Sequence, residues 1–293
     1  MASLYELHEH RPLDSPVLVL GMEGWIDAGL GGGGAMGHLL EAVPTEVLAS
    51  FDGDQLLDYR SRRPAVKLSD GVLTGLTWPE VLMRVGQDPG GRDVLVLTGP
   101  EPDMRWQSFV EAVVALAAEL GTRLVVGMGA FPAPVPHTRP VRLAAVATNQ
   151  ELADQVGFVS GSLDVPAGVH AALQQGFAAA GIPAVGLWAR VPHYVAAMPY
   201  PAASAALVEG LGSVAGLELD AKQLHDAAAL AKARIDELIA ASEEHAQMVR
   251  QLEASADAEA EADAGPIDLS ELSDLPSGDE LAAELERFLR GEQ

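Results

Sequence analysis

The chain has 293 residues, of which 18 are basic and 42 acidic, so its formal net charge is −24. A field of that sign repels nucleic-acid phosphates and anionic lipids, which argues against nucleic-acid and membrane-surface binding. The chain contains no cysteine, which excludes disulfides, thiol nucleophiles and thiolate metal sites.

The N-terminal residues "MASLYELHEHRPLDSP" carry acidic side chains and lack the long apolar stretch of a signal peptide. No apolar run reaches the roughly 20 residues that a membrane-spanning helix needs. We therefore expect a soluble cytoplasmic protein.

Short Val/Leu runs alternate with Ala-rich helical stretches over residues 1–219. This alternation predicts an α/β domain with a mostly parallel sheet and helices on both faces. The predicted strands are 16–21, 45–51, 93–98, 123–128, 141–147 and 184–190. The predicted helices are 29–42, 104–120, 167–180 and 201–213.

Residues 60–79 depart from that alternation. Within them, "PAVKLSDGVLTGLTW" places an Asp-Gly turn between two alternating runs, which is typical of a β-hairpin. We expect an inserted antiparallel ribbon here.

The composition changes again after Leu219. Residues 220–254 contain no Gly or Pro and predict one long helix, either a weak coiled-coil arm or a helix folded back on the domain. Residues 255–293 hold 12 acids and 2 arginines and predict a disordered acidic tail. Within that tail, residues 279–290 have the spacing of a short amphipathic helix.

A glycine-rich stretch, "GMEGWIDAGLGGGG", follows the first predicted core strand. It satisfies G-x-G-x-x-G, but Gly29 comes eight positions after the strand end near Gly21. In a dinucleotide site the first glycine turns directly out of the strand, and Glu23 and Asp27 would oppose a phosphate. We therefore expect glycines that allow close helix packing, and a loop in which Glu23, Trp25 and Asp27 serve recognition.

Three further predicted strands end in polar or aromatic residues. In "VLVLTGPEPDMRW" the strand is followed by Glu101, Asp103 and Trp106. The two later strands are followed by His137 and Arg139 and by His193 and Tyr194. Because the carboxyl ends of parallel strands meet at one edge of a sheet, we expect these side chains to converge with Glu23 there.

That set leaves several chemistries open. Two histidines with a carboxylate can bind a divalent metal, and His137 with Arg139 can hold an oxyanion. Alternatively, His137 and Arg139 fix a proline-rich loop by bonding its carbonyls and a neighbouring carboxylate. No two of these candidate ligands are spaced i, i+3 or i, i+4 on a helix, so we do not expect a metal, and we expect no other cofactor.

Together, the motifs "GMEGWIDAG", "GPEPDMRW", "VPHTRP" and "VPHYVA" resemble the proteasome assembly chaperone 2 family, specifically its actinobacterial branch. The resemblance covers residues 1–215. It implies a phosphorylase/hydrolase-like α/β fold and self-association, with a homotrimer as the expected form. Eukaryotic members hold proteasome α-subunits during ring assembly, and no chemistry is implied. The last residues, Arg290-Gly291-Glu292-Gln293, differ from the hydrophobic-Tyr-x ending of proteasome-docking tails, so direct tail insertion is not expected.

These observations favour a non-enzymatic, self-associating scaffold or assembly factor that binds a protein or a small ligand at the strand-end edge. The alternative is a phosphorylase/hydrolase-like enzyme acting on a nucleoside-like or other small anionic substrate. In that enzyme Arg139 would hold an anion, His137 or His193 would act as general acid, and Glu23 or Glu101 would orient the substrate or act as base.

Overall fold

The computed structural model describes residues 4–24, 26–160, 164–261 and 267–268. The strands are β1 Tyr5–Leu7, β2 Val17–Glu23, β3 Thr45–Phe51, β4 Ala65–Ser69, β5 Val72–Thr77, β6 Leu82–Gln87, β7 Asp93–Pro100, β8 Leu124–Ala133, β9 Leu143–Ala147, β10 Val159–Ser160, β11 Ala184–Pro192 and β12 Ile267–Asp268. The helices are α1 Gly31–Ala42, α2 Gly53–Leu56, α3 Trp106–Glu119, α4 Gln150–Val156, α5 Val169–Ala179, α6 Pro201–Ala215, α7 Lys222–Ala240 and α8 Glu243–Glu261. Short 3₁₀ turns occupy Ala28–Leu30 and His193–Val195.

Eight strands form one sheet in the order β1-β3-β6-β7-β2-β8-β11-β9. β2 runs parallel to both β7 and β8, with Val17 opposite Val94 and Leu124. The pairs β6-β7, β3-β6 and β1-β3 are antiparallel, so the sheet is mixed. The predicted α/β class is confirmed. Val17–Leu20 are completely or almost completely buried, as expected for a continuous apolar run in the middle of a sheet.

All six predicted strands and all four predicted core helices are present, with ends that differ by a few residues. The sequence reading missed β6, which fills the place between β3 and β7. Its residues alternate between more and less buried positions, and Arg84 at its centre donates from Nε to Thr45 Oγ1 at 2.8 Å. Arg84 made this segment look unlike a strand in the sequence, because its hydrogen bond to β3 is not visible there.

The chain divides into two compact units. The first comprises Met1–Trp25, Val43–Gly127 and Pro166–Val185. Its core contains apolar side chains of β2, β3, β6, β7, α3 and α5, with Phe109 and Phe177 fully buried. Phe51 packs on Phe109 with a centroid distance of 5.2 Å. This unit holds the strand ends that carry Glu23 and Glu101.

The second unit comprises Ile26–Ala42, Met128–Val165 and Gly186–Gln293. Helix α6 packs against both α1 and α7. Leu39 of α1 and Leu207 of α6 are fully buried, and α7 and α8 contribute the buried Ile235 and Val249. This unit holds the loops that carry His137, Arg139, His193 and Tyr194.

The inserted ribbon predicted at residues 60–79 is present as β4 and β5, which pair with each other. Val66 lies opposite Leu76 and Leu68 opposite Leu73, with a register shift between the two pairs. Directly opposed residues of antiparallel strands point to the same face, and so do residues two apart on one strand. The ribbon therefore has one face made of these four apolar side chains.

The predicted continuous helix over 220–254 needs correction. Helix α7 ends at Ala240 and a separate helix, α8, begins at Glu243. Ser242 lies between them, and its Oγ accepts a hydrogen bond from the main-chain N–H of His245. Serine favours such a capping position because its hydroxyl satisfies a helix N-terminal amide, and here it starts a new helix.

Helix α8 also extends into the segment predicted to be disordered. It continues to Glu261, so residues 255–261 are helical. Residues 267–268 pair as β12 with β10. The short amphipathic helix predicted at 279–290 lies outside the described residues. Within the described residues, none of the helices combines the length and apolarity needed to cross a bilayer.

Candidate functional site

The candidate residues Glu23 and Glu101 lie together at neighbouring strand ends in the first unit. Glu23 is the last residue of β2 and lies opposite Pro100 of β7. Its carbonyl accepts a hydrogen bond from the main-chain N–H of Glu101 at 3.0 Å. The Glu101 carboxylate accepts from the N–H of Val169, the first residue of α5, at 2.8 Å. Glu101 thus stabilises the positive end of a helix, which is a structural role for its charge.

A histidine that the sequence reading missed follows in the first turn of α5. Nε2 of His170 is buried and has no hydrogen-bond partner within the described part of the chain. Burial lowers the pKa of His170 to about 4, because the charged imidazolium would lose its hydration. The side chain is therefore a neutral imidazole at physiological pH.

Asp103 and Trp106 brace the loop that leads to the β4–β5 ribbon. The Asp103 carboxylate accepts from the main-chain N–H of Asp58 at 2.8 Å and from Nε of Arg62 at 3.3 Å. Trp106 donates from Nε1 to the carbonyl of Pro102. Both side chains are used inside the first unit, where they hold neighbouring loops in place.

Asp27 occupies the N-terminus of α1 in the second unit. Its two carboxylate oxygens accept from the main-chain N–H groups of Gly32 at 2.7 Å and Gly33 at 2.9 Å. In a phosphate site, these two N–H groups would donate to the bound phosphate. The chain's own carboxylate fills that position, in agreement with the argument against a dinucleotide site. Trp25, the other candidate in this loop, lies outside the described residues.

The glycine run allows α1 to pack closely. A Cβ on Gly31 would lie 2.8 Å from Cβ of Ala130, and one on Gly34 would lie 2.4 Å from Oγ of Ser204. Ser204 donates from that oxygen to the Gly31 carbonyl at 3.0 Å. The glycines are explained by close contact with β8 and α6, without any ligand.

His137 is buried within a network of three hydrogen bonds. Its main-chain N–H donates to Oη of Tyr194 at 2.8 Å, and its Nδ1 lies 2.7 Å from the same oxygen. Its Nε2 lies 3.0 Å from Oδ1 of Asp236 on α7. An ionised Asp236 can only accept, so Nε2 carries the proton and Tyr194 donates to Nδ1. Both ring nitrogens of His137 are occupied.

Two pKa shifts set the charge states of the groups in this network. Hydrogen bonds from Lys232 and, to a smaller extent, from His137 lower the pKa of Asp236. Burial raises the pKa of Tyr194, because the phenolate would be poorly solvated. Tyr194 therefore stays protonated and donates at physiological pH.

Arg139 is bound side-on by a carboxylate of helix α8. Its Nε and Nη2 donate to the two oxygens of Asp257 at 2.7 and 2.8 Å, and its Nη1 lies 3.3 Å from Glu253. Asp257 is the largest cause that raises the pKa of Arg139, and the same pair lowers the pKa of Asp257. The bidentate geometry that would hold an external oxyanion is satisfied internally.

A third acidic residue of α8 binds two more arginines. Oε2 of Glu259 lies 3.1 Å from Nη1 of Arg190, which is only 4% exposed, and 3.7 Å from Nη1 of Arg142. Together, Glu253, Asp257 and Glu259 of α8 form ion pairs with three arginines, Arg139, Arg142 and Arg190. The sequence reading missed these acids. Two sequence features could have predicted that these acids lie on one face of a helix. No Gly or Pro occurs up to residue 261, and Glu253 and Asp257 are one helical turn apart.

His193 lies beside Tyr194, with ring centroids 5.4 Å apart. Its Nδ1 is buried and finds no hydrogen-bond partner among the described residues. The structure thus brings His137, Arg139, His193 and Tyr194 together within the second unit, and Glu23, Glu101, Asp103 and Trp106 within the first. Among the described residues, no three His, Asp or Glu side chains are grouped in a way that could hold a metal ion.

Several known proteins are similar to this chain in both sequence and fold. A Mycobacterium tuberculosis protein of unknown function, Rv2714, is 39% identical, covers 89% of this chain and 93% of its own, and superposes with a TM-score of 0.82. The proteasome-assembly chaperone homologue Rv2125 of the same organism is 36% identical, with coverage of 80% and 99% and a TM-score of 0.74. No curated protein matches.

More distant structures share the fold alone. The archaeal proteasome activator PbaB of Pyrococcus furiosus is 17% identical, with coverage of 80% and 97% and a TM-score of 0.60. The PAC2 family model matches residues 21–239, which is most of the chain. The resemblance found in the four strand-end motifs is therefore confirmed, and the chain belongs to the PAC2 family.

Proposed function

We propose that the chain is a non-enzymatic, self-associating scaffold of the assembly-chaperone type, which binds a protein partner through its strand-end loops. Family membership supports this role, as does 36% identity to a proteasome-assembly chaperone homologue. By that relationship the partner is a proteasome-related protein, and the expected self-association is a homotrimer.

The observation that carries the proposal is the internal use of His137 and Arg139. A phosphorylase-like enzyme would need an imidazole able to exchange a proton with substrate and a guanidinium open to an anion. Both ring nitrogens of His137 face Tyr194 and Asp236, and the guanidinium of Arg139 faces Asp257 and Glu253. In the proposed scaffold these groups hold α7 and α8, and α8 modulates access to the arginines beneath it.

Apolar side chains that remain exposed suit a protein partner. Ile26 and Leu30, in the loop before α1, are 37% and 59% exposed. Leu30 has a φ of 52°, a left-handed conformation that costs about 1 kcal/mol or more for a leucine. A strained, exposed leucine next to the helix-capping Asp27 is a fixed apolar contact point, as partner recognition requires.

The β4–β5 ribbon supports the self-association. Val66, Leu68, Leu73 and Leu76, which form its apolar face, are 51%, 66%, 63% and 46% exposed. An isolated two-stranded ribbon is marginally stable in water, and an uncovered apolar face is a protein-interaction signal. We infer that this face is covered by a second copy of the chain.

Charge complementarity favours a second copy as the occupant. Arg60 and Arg63 lie just before β4, and Asp70 is the acid of the ribbon's turn. Acids outnumber bases by 42 to 18 in the chain, so a second copy offers many acidic side chains that can pair locally with these two arginines.

The test combines assembly state with partner binding. Light scattering on the full chain should give an oligomer, and the double change Leu68→Asp/Leu73→Asp should convert it to a monomer. Lys67→Ser lies on the opposite ribbon face and should leave the oligomer intact. The wild type, but not a monomeric variant, should bind purified proteasome α-subunits.

Three results would contradict the proposal: a monomeric wild type, an oligomer insensitive to the double change, or no α-subunit binding. Phosphate-dependent cleavage of a nucleoside that is lost in His137→Asn or in His193→Asn would instead establish the enzyme alternative.

A further inference from the structure

Helix α8, residues 243–261, buries little apolar surface. It carries six acids against one arginine, Arg250. Among its described residues Val249 is the only buried side chain, whereas α6 buries Leu207 and Leu211 along with several other apolar residues. Burial of an apolar face is the usual source of helix docking. The attachment of α8 therefore depends on its charged contacts.

These contacts are made with four residues of the second unit, which we call the arginine surface. They are Thr138, Arg139, Arg142 and Arg190. The first three lie between β8 and β9, and Arg190 belongs to β11. The main-chain N–H of Arg190 donates to the carbonyl of Arg142 at 3.1 Å, so the two segments are joined independently of α8. The arginine surface is thus a fixed part of the second unit.

Glu253 and Asp257 of α8 bind the loop residues of this surface. Asp257 accepts from Nε and Nη2 of Arg139. Glu253 accepts from Oγ1 of Thr138 and lies 3.3 Å from Nη1 of Arg139. The two acids are one helical turn apart, so both carboxylates reach the same loop.

Glu259 binds the rest of the arginine surface. Its carboxylate lies 3.1 Å from Nη1 of Arg190 and 3.7 Å from Nη1 of Arg142. Within the part of the chain that the structure describes, neither guanidinium group has an ion-pair partner outside α8. The acids of α8 therefore supply the countercharge for these two arginines.

These ion pairs are open to water. The side chains of Asp257 and Arg142 are 53% and 47% exposed, and those of Arg139 and Glu259 are 37% and 34% exposed. An exposed ion pair changes a docking equilibrium by up to about fivefold, and dissolved salt screens it. The attachment of α8 is therefore sensitive to ionic strength.

The link between α7 and α8 is short and lies at the end of an anchored helix. It consists of Ala241 and Ser242. Oγ of Ser242 caps α8, and Ile235 of α7 is buried in the second unit. A rotation about this link therefore moves α8 as one helix and leaves α7 in place.

The loops that α8 contacts carry the candidate residues of the second unit. Glu253 binds Thr138 and Arg139, the two residues that follow His137. Burial is the main cause that raises the pKa of Tyr194, and the charge of Glu253 adds to it. Glu253 is therefore close to the His137–Tyr194 pair as well. Departure of α8 would expose both loops.

We propose that α8 is a strap that closes over the arginine surface and opens when its ion pairs are screened or broken. The closed strap covers the loops of His137 and Tyr194, and the open strap exposes them to the protein partner. The identity of that partner rests on the proposed function, whereas the opening is a property of this chain alone.

The test measures a distance within the second unit. Because the chain contains no cysteine, two introduced cysteines are the only sites for a thiol-reactive spin label. Gln251→Cys puts one label on α8 and Glu41→Cys puts the other on α1, both at exposed positions. Pulsed electron paramagnetic resonance of the full chain gives the distribution of distances between the labels. Dilution with unlabelled chain removes distances between copies.

One closed distance is expected at low salt, and a longer, broader population should grow as salt is added. Between about 0.1 M and about 1 M sodium chloride the screening length falls from about 10 Å to about 3 Å, and the open fraction should rise at least about fivefold. At low salt, Asp257→Asn/Glu259→Gln should raise the open fraction to a similar extent. The matched control, Glu243→Gln/Glu244→Gln, removes two charges from the same helix but no acid that binds the arginine surface, and it should match the wild type.

A distance distribution that is the same at both salt concentrations overturns the proposal. So does equal opening in the control and in Asp257→Asn/Glu259→Gln. Circular dichroism verifies that each variant is folded. The salt series keeps the wild-type contacts, so it decides the question even if Asp257→Asn/Glu259→Gln does not fold.

Binding of purified proteasome α-subunits tests whether the strap controls access. An affinity at least about fivefold higher in Asp257→Asn/Glu259→Gln than in the wild type supports this control, and equal affinity overturns it. If neither chain binds α-subunits, the proposed function fails, and the distance measurement alone decides whether α8 opens.

Discussion

Replacement of His170 by leucine should reduce the acid sensitivity of the fold. The buried imidazole has a pKa of about 4, compared with 6.5 as its ordinary value. Above pH 6.5 the ring is neutral in both the folded and the unfolded chain, so it contributes nothing to the pH dependence of stability. As the pH falls below 6.5, the unfolded state binds a proton that the folded state refuses, and stability decreases.

The size of the effect follows from the two pKa values. Between pH 7.5 and pH 5 the wild type should lose about 2 kcal/mol of unfolding free energy through this one group. The loss approaches its limit only near pH 4, but the sequence pI of about 4.5 makes titration below pH 5 impractical because the chain nears zero net charge.

The measurement is urea unfolding of the full chain at pH 5, 6, 7 and 7.5. The difference in unfolding free energy between His170→Leu and the wild type should shift by about 2 kcal/mol in favour of the variant as the pH falls from 7.5 to 5. His10→Gln, which removes an exposed histidine, is the control and should follow the wild type. Parallel curves for His170→Leu and the wild type would refute the reasoning.

Two further predictions concern the second unit. Gly34→Ala should destabilise it by about 1–3 kcal/mol in thermal unfolding, because the new Cβ would lie 2.4 Å from Oγ of Ser204. Gly37→Ala, in the same helix with open space around it, should instead stabilise by about 0.5–1 kcal/mol, and equal effects would contradict the packing argument. Asp257→Asn should speed hydrogen exchange across α8, since its arginine partner loses an ionised acceptor. Glu243→Gln on the same helix should have a smaller effect, and an unchanged exchange rate in Asp257→Asn would show that this pair does not hold the helix.

The central strands could be predicted from the sequence because strands buried on both faces consist of continuous apolar residues. Val17–Leu20 and Val94–Leu97 are continuous apolar runs that only a sheet covered on both faces accommodates. The ribbon was equally visible, since its Asp-Gly turn separates two alternating runs. β6 was not, because its polar residues are satisfied by a neighbouring strand instead of by solvent.

The interactions of the candidate site could not be predicted in the same way. His137 and Asp236 are 99 positions apart, and Arg139 and Asp257 are 118 positions apart. Local patterns identify residue types that suit a chemistry, but they carry no record of distant partners. The outcome for His137 therefore depended on Asp236 of α7, and the outcome for Arg139 depended on Asp257, which lies in the segment predicted to be a disordered tail.

The carboxylate of Asp27 has a consequence for how glycine-rich motifs are interpreted in other sequences. An acidic side chain five residues before the second glycine of such a run can fold back and neutralise the exposed amides itself. In such a protein the helix N-terminal N–H groups are already bound by the carboxylate and cannot bind a nucleotide phosphate, even where the glycines match the fingerprint. Screening genomes for an acid at that offset would separate self-capped helices from true cofactor folds.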